Sequence, residues 1–211
     1  MNCIRSAYPK LSAIAFFLIL VPLWAMNAGS NGGSFSVEAQ PSEENKPVSK
    51  YVLDYEMDSI EGEPVKLDSY KGKVVLMVNV ASKCGLTPQY KALEAMYRAH
   101  EKEGLVIIGF PANNFMGQEP GTNKEILEFC TGKYDVTFPM MSKISVKGKD
   151  AHPLYKQLSA QPEPVGGEPS WNFDKFLVNR SGEVVARFGP RTKPDDKELV
   201  KTINALIADD S

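Results

Sequence analysis

The stretch that decides the fold is Val74–Pro88, which reads VVLMVNVASKCGLTP. Its first eight residues are apolar apart from Asn79, a composition typical of a strand that is buried on both faces of a sheet. The polar turn that follows carries Cys84. Because Thr87 and Pro88 are typical of the first positions of a helix, the stretch predicts a strand, a cysteine-bearing turn and a helix in immediate succession.

Strand-like and helix-like segments alternate in the chain after this stretch. Apolar residues at helical spacing predict a helix that is capped by Thr87, has Pro88 in its first turn and ends at Gly104, and Leu105–Phe110 predicts a second buried strand. The remaining predicted elements are a helix over about Asn123–Lys133, a strand near Ile144, a short helix near Leu154, a hairpin of Phe173–Asn179 and Val184–Phe188, and a last helix opened by Pro194. This order predicts an α/β, thioredoxin-like fold with a central mixed β-sheet flanked by helices.

The first 28 residues have the pattern of an export signal. Arg5 and Lys10 precede an apolar run over Leu11–Ala25, and small residues follow the run. We expect a removable signal peptide over residues 1–28 and hence an exported protein, periplasmic or secreted. A membrane anchor is the alternative, which the shortness of the run and its Pro22 disfavour.

The rest of the chain divides into a linker and one domain. Residues 29–49 are rich in Gly, Ser, Asn, Glu and Pro, which predicts a flexible linker. The 211-residue chain is 43% hydrophobic, which is enough for one packed domain over residues 50–211. Its formal net charge of -2 indicates no basic surface for phosphates, so we expect a small or neutral substrate and no nucleic-acid partner.

Cys84 is the candidate nucleophile. Backbone N–H groups at the start of the following helix should point toward its sulfur and favour the thiolate, and the neighbouring Lys83 should add to this effect. A thiolate attacks the O–O bond of a peroxide and becomes a sulfenic acid. The alternative is a buried cysteine that acts as a small hydrophobic residue, which the polar or small neighbours Ser82 and Gly85 disfavour.

Other cysteine chemistries lack their partners in this sequence. Thr87 stands three positions after Cys84, so the Cys-x-x-Cys pair of disulfide exchangers and metallochaperones is absent. His100 and His152 are predicted within or at the start of helices, which disfavours a cysteine protease. The spacing of these histidines from Cys84 and Cys130 does not suit a zinc site, so we expect no metal and no cofactor.

Three longer motifs resemble those of the glutathione peroxidase family, over about Tyr51–Ile207. The motifs are Asn79–Thr87 (NVASKCGLT), Gly109–Pro111 (GFP) leading to Phe115–Gly121 (FMGQEPG), and Trp171–Phe173 (WNF). In that family a selenocysteine or cysteine attacks the peroxide with the help of a glutamine, a tryptophan and an asparagine. The resemblance therefore implies a peroxidase of the oxidative stress response, an antioxidant enzyme, whose catalytic residues are Cys84, Gln118, Trp171 and Asn172.

The residue types agree with this assignment. Amide and indole N–H groups can donate hydrogen bonds to a thiolate and to the alkoxide that develops as the O–O bond breaks. Taken singly, each partner also has a plain structural explanation. Gln118 could organise a loop, Asn172 could cap a turn, and Trp171 could pack in the core.

The resemblance also has implications for the substrate and for the oligomeric state. The segment between Tyr155 and Trp171 is short and lacks the long insertion of tetrameric relatives. The chain therefore resembles the compact, monomeric branch of the family, with an exposed site that accepts hydrogen peroxide and organic or lipid hydroperoxides.

Cys130 is the candidate resolving cysteine. In many cysteine-type relatives a second cysteine condenses with the sulfenic acid, and a thioredoxin-like protein reduces the disulfide; glutathione is the other reductant. Cys130 lies in the corresponding helix, one residue before the usual position, and shares a helix face with Ile126, as a packed core residue would. The alternative to an enzyme is a redox sensor or relay that passes oxidation from Cys84 to a partner protein.

Overall fold

The computed structural model describes residues 48–209. The predicted signal peptide over residues 1–28 and nearly all of the predicted linker over residues 29–49 lie outside the described residues. Within the described range, no helix has both the length and the apolar character needed to cross a bilayer.

Six strands and four α-helices make up the described part of the chain. In order they are β1 (Glu56–Asp58), β2 (Pro64–Lys66), β3 (Val74–Val80), α1 (Gln89–His100), β4 (Leu105–Pro111), α2 (Asn123–Tyr134), α3 (Pro153–Ser159), β5 (Lys175–Val178), β6 (Val184–Phe188) and α4 (Lys197–Ala208). Two short 3₁₀ turns, over Leu67–Tyr70 and Glu101–Glu103, complete the regular structure.

The central sheet has the strand order β4-β3-β5-β6. Strands β3 and β4 are parallel, while β5 runs antiparallel to β3 and β6 antiparallel to β5. Strands β1 and β2 form a separate antiparallel pair. The predicted mixed sheet and the predicted hairpin of the last two strands are confirmed.

Strand β3 is the centre of the core, because all of its residues are buried. Its side chains alternate between two hydrophobic clusters, with Leu76 and Val78 in one and Val75 and Met77 in the other. The first cluster includes residues of α1, α2 and α4, and the second includes residues of α3. Helices therefore cover both faces of the sheet, as the thioredoxin-like prediction requires.

Two predicted helix starts differ from the structure: the predicted cap Thr87 does not cap α1, which starts just after Pro88, and α4 starts after Pro194. Helix α1 begins at Gln89, because the Thr87 hydroxyl accepts a hydrogen bond from the Cys84 N–H at 3.0 Å and caps the preceding turn instead. Helix α4 begins at Lys197 rather than at Pro194, because the Asp196 carboxylate accepts the first free N–H groups of this helix.

The predicted strand near Ile144 is also wrong. Met140 forms a single bridge to Gly109 at the edge of β4, and Ile144 donates one hydrogen bond to the Pro111 carbonyl at 3.0 Å. Pro139 has no N–H to continue a ladder, so the segment follows the sheet edge as extended chain. Strands β1 and β2 were not predicted, since three residues are too few to show alternation.

Candidate active site

Cys84 lies in the turn that joins β3 to α1. Its side chain is almost buried, with 8% of the residue exposed, and its Sγ accepts a hydrogen bond from the Leu86 N–H at 3.3 Å. The Thr87 hydroxyl fixes this turn, because it accepts from the Cys84 N–H and donates to the Ala81 carbonyl at 2.8 Å. A backbone N–H therefore faces the sulfur as predicted, although it comes from the turn and not from the helix itself.

The Gln118 loop, residues 112–122, follows β4 and bends back toward Cys84. Met116 has φ 53° and Gly117 has φ 62°, so two successive residues are in the left-handed region. This conformation is costly for a methionine and is typical of functional sites. The Lys83 N–H donates to the Gln118 carbonyl at 3.0 Å, which ties the loop to the turn that carries Cys84.

A buried carboxyl group makes a second tie between the same two segments. The Ser82 hydroxyl donates to Oε1 of Glu119 at 2.6 Å, while Oε2 of this carboxyl is buried without a partner among the described residues. Burial raises the pKa of the Glu119 carboxyl, an effect that the hydrogen bonds from Ser82 oppose. We did not predict a role for Glu119, although it lies inside the FMGQEPG motif.

The Trp171 loop, residues 170–174, enters the site just before β5. The Asn79 side chain donates to the Trp171 carbonyl at 3.0 Å, and the Phe173 N–H donates to the Asn79 carbonyl at 2.6 Å. The indole ring packs against Phe115 of the Gln118 loop, with the ring centroids 5.5 Å apart. The polar residue within β3 therefore anchors the tryptophan, which explains why this strand is not wholly apolar.

Asn172 is fully buried and contacts Gln118 rather than the solvent side of the site. Its Nδ2 donates to Gln118 Oε1 at 2.9 Å. The Gln118 Oε1 accepts this hydrogen bond, so Nε2 is the atom of the carboxamide that can donate to a ligand. Within residues 48–209, Nε2 has no hydrogen-bond partner. Asn172 is thus a positioning residue for Gln118.

A groove of about 890 Å³ joins these segments. It is lined by Cys84, Gly85, Leu86, Gln118, Ser170, Trp171 and the segment Gly189–Thr192 that follows β6. Three of the four predicted site residues therefore share one groove, and Asn172 lies behind it. The Gly189–Thr192 wall was missed, because no local pattern in the sequence shows that a turn after the last strand returns to the cysteine.

Cys130 lies in α2, away from the groove. It is fully buried in the same hydrophobic cluster as Ile126, and its Sγ donates to the Leu127 carbonyl at 3.4 Å. Burial raises the pKa of the Cys130 thiol to about 11. Both described cysteines are free thiols. In this state of the protein Cys130 is therefore a packed core residue.

Replacing Asn172 with alanine should slow peroxide reduction about tenfold, because the Gln118 carboxamide loses the hydrogen bond that orients it. The measurement is kcat/KM with hydrogen peroxide. Asn179→Ala is the matched control: it removes an asparagine that accepts from the Glu183 N–H in the turn between β5 and β6. Equal losses in the two variants would contradict a positioning role for Asn172.

The fold and the site together define a thiol-based peroxidase on a thioredoxin-like scaffold. The sequence model of the family described as glutathione peroxidase matches residues 52–159. The chain belongs to the glutathione peroxidase family, and it is a thiol-dependent peroxidase.

Curated relatives match this chain over most of their own length. A glutathione peroxidase-like peroxiredoxin of Saccharomyces cerevisiae is 51% identical over 148 residues, which are 69% of this chain and 90% of the relative. The thioredoxin/glutathione peroxidase BtuE of Escherichia coli is 42% identical over 178 residues, covering 74% of this chain and 97% of the relative.

Solved structures agree on the fold. The crystal structure of Trgpx in apo form matches with a TM-score of 0.61 and 41% identity, covering 75% of this chain and 96% of that protein. A thiol:disulfide interchange protein of the thioredoxin family from Chlorobium tepidum matches with a TM-score of 0.56 at 16% identity, covering 78% and 99% of the two chains. At that identity the match supports the thioredoxin-like fold alone.

Proposed function

We propose that Cys84 is the peroxidatic residue and that the protein reduces hydrogen peroxide and organic or lipid hydroperoxides. The observation that carries the proposal is the position of Cys84 in one groove with Gln118 and Trp171. There the Cys84 sulfur accepts a hydrogen bond from the Leu86 N–H. A backbone donor stabilises the thiolate, which is the nucleophilic form.

The reaction is a transfer of one oxygen atom to sulfur. The Cys84 thiolate attacks an oxygen of the hydroperoxide, the O–O bond breaks, and the second oxygen leaves as an alkoxide that takes up the proton released by the thiol. The products are a Cys84 sulfenic acid and an alcohol, or water when the substrate is hydrogen peroxide.

Gln118 and Trp171 supply donors for this step. The Gln118 Nε2 and the Trp171 indole N–H lie in side chains that line the groove, and neither group is hydrogen-bonded to another described residue. Such donors are worth most where negative charge develops, which here is the departing alkoxide. Asn172 acts indirectly through Gln118.

Trapping of the first product tests the proposal. A single equivalent of hydrogen peroxide should convert Cys84 to a species that a sulfenic-acid reagent labels, as mass spectrometry of the peptide would show. Steady-state turnover with thioredoxin or glutathione as the reductant should accompany this oxidation, as expected of a peroxidase and not of a redox sensor. Turnover without labelling of Cys84 would contradict the assignment of Cys84 as the peroxidatic residue.

Cys130 is proposed to resolve the sulfenic acid. Its thiol would attack the Cys84 sulfur, forming a Cys84–Cys130 disulfide and releasing water. Because Cys130 is buried in α2 and does not line the groove, this step requires local unwinding of the helix. The similarity to a yeast protein named as a peroxiredoxin supports a thiol-based return step.

The rate of this disulfide formation should rise about tenfold per pH unit between about pH 7 and pH 10. The resting Cys130 thiol has a pKa of about 11, so it stays protonated over that range, and the small population that is both unwound and ionised grows tenfold with each pH unit. The measurement is acid-quenched mass spectrometry after oxidation of Cys84, with Cys130→Ala as the blank. A plateau near pH 8.5, the ordinary pKa of a free thiol, would mean that oxidation of Cys84 already exposes Cys130.

The proposed reductant is a thioredoxin-like protein, with glutathione as the second candidate. A relative named as a thioredoxin/glutathione peroxidase supports both donors. The deciding assay compares the two donors on the wild-type protein and on Cys130→Ala. If the disulfide is the species that thioredoxin reduces, the variant should lose thioredoxin-dependent turnover and keep whatever turnover glutathione supports.

Export and a monomeric state are proposed as well. Export is supported by the pattern of residues 1–28, and the monomer by the short segment between Tyr155 and Trp171. N-terminal sequencing of the protein from its cells tests the first, and size-exclusion chromatography with light scattering tests the second. An exported enzyme would need a thioredoxin-like donor in its own compartment.

A further inference from the structure

Arg191 is the one charged side chain among the described residues that line the groove. It is exposed and lies in the Gly189–Thr192 wall, beside Pro190. The backbone of this wall is fixed, because the Gln89 side chain donates to the Pro190 carbonyl at 2.7 Å and the Thr192 N–H donates to the Gly189 carbonyl at 3.1 Å. The Arg191 guanidinium is therefore attached to a segment whose backbone is fixed by hydrogen bonds.

The other arginines of the described chain all have structural partners. Arg98 pairs with Glu94, Arg180 donates to the carbonyls of Gly72 and Ile207, and Arg187 pairs with Asp174. Arg191 makes no hydrogen bond and no ion pair within residues 48–209. Its five N–H donors are therefore available to a ligand.

The groove around Arg191 suits a larger and less polar substrate than hydrogen peroxide. Leu86, Trp171 and Pro190 give it apolar walls. Its volume of about 890 Å³ lies in the range of small-molecule sites. A water molecule takes up only about 30 Å³ of liquid, so hydrogen peroxide would leave most of the groove unfilled.

We propose that Arg191 binds the carboxylate of an amphiphilic hydroperoxide, of which a free fatty-acid hydroperoxide is the simplest. The guanidinium fork pairs with a carboxylate through two parallel hydrogen bonds. The acyl chain lies along Leu86, Trp171 and Pro190, and the hydroperoxide group reaches Cys84. This inference rests on the proposed function and makes Arg191 the residue that selects, among lipid hydroperoxides, those that carry a free carboxylate.

The single cation favours a carboxylate over the surface of an anionic bilayer. Anionic membranes are held by clusters of basic residues, each of which adds a small increment. Lys83, the basic residue next to Cys84, lines a separate cavity with Ser82 and Glu119 and does not line this groove. A single guanidinium beside apolar walls therefore suits a ligand that has one carboxylate and one acyl chain.

The test is a single-turnover experiment that contains no reductant. Reduced protein is mixed by stopped flow with linoleic acid hydroperoxide, with the methyl ester of that hydroperoxide, and with hydrogen peroxide. The change in tryptophan fluorescence reports oxidation of Cys84, because Trp171 lies in the same groove. Arg191→Gln should lower the second-order rate constant for the acid about fivefold, the effect of an exposed ion pair. Any change in the constants for the ester and for hydrogen peroxide should be smaller and the same for both, because it would come from the loss of a positive charge in the groove of Cys84 and not from the carboxylate.

Two further variants complete the design. Lys193→Gln removes an exposed positive charge two positions away and outside the groove lining, so the constant for the acid should stay at the wild-type value. Arg191→Lys keeps the charge without the fork and should give an intermediate value. In the wild type the preference for the acid over the ester should shrink as salt is added, and in Arg191→Gln it should be insensitive to salt.

The outcomes separate this inference from the proposed function. An equal loss with acid and ester, or no loss with the acid, would overturn the carboxylate site. Glutathione is then added to the oxidised protein in a second mixing step. If Arg191→Gln slows only that step, Arg191 binds the carboxylates of the reductant, which also overturns the inference. Failure of the wild-type protein to react with hydrogen peroxide would overturn the proposed function itself, whatever Arg191 does.

Discussion

Replacing Cys84 with serine is expected to lower kcat/KM for hydrogen peroxide by at least about a thousandfold. The hydroxyl that replaces the thiol does not ionise near neutral pH, and no histidine among residues 48–209 lines the groove to act as its base. The exchange is otherwise conservative, since the serine oxygen can accept the Leu86 N–H in place of the sulfur. The measurement is peroxide consumption with thioredoxin and with glutathione as donors.

The control for this variant is Cys130→Ala. Because the role proposed for Cys130 comes after oxidation, its loss should leave the first reaction of Cys84 with peroxide at the wild-type rate, while Cys84→Ser shows no reaction at all. Thermal unfolding of both variants would show that each one is folded. Full activity in Cys84→Ser would remove the basis of the proposed mechanism.

The part of the site that follows β3 directly could be predicted from sequence. A continuous apolar run is readable as a buried strand, and a cysteine in the polar turn after it must lie at the edge of the sheet. Gln118 and Trp171 could not be placed beside Cys84 by local pattern, because they come from loops far along the chain. The family resemblance supplied them, and the structure places both in the same groove.

What the sequence could not show depends on contacts between distant segments. Thr87 has the composition of a helix cap, but the turn around Cys84 competes for its hydroxyl and α1 starts later. Asn172 was expected at the reacting atoms and is instead buried behind Gln118. Arg191 gives no signal in the sequence, since an exposed arginine after a strand is ordinary until the fold puts it in a groove.

The loop that carries Trp171 is held by a buried carboxylate. Asp174 is fully buried, and its Oδ2 accepts hydrogen bonds from the Ser170 N–H at 2.8 Å and the Ser170 hydroxyl at 3.0 Å. Its Oδ1 accepts from Arg187 Nε at 3.0 Å. The same guanidinium donates to the carbonyls of Gly166 and Gly167. One ion pair thus fixes both the start of the Trp171 loop and the turn before it.

Replacing Asp174 with alanine should therefore lower the free energy of unfolding by about 3 to 5 kcal/mol, because it leaves the largely buried Arg187 cation and the two Ser170 donors without a partner. Urea unfolding measures the change. The matched control is Glu128→Ala, which breaks the exposed Lys124–Glu128 pair and should cost less than about 1 kcal/mol. Without urea, where the variant is still folded, its reaction with peroxide should also be slower. The reason is that Ser170, at the start of the Trp171 loop, has lost its hydrogen bonds to Asp174. A cost for Asp174→Ala as small as that of the control would show that the loop is held by packing of Trp171 on Phe115 and not by the buried charge.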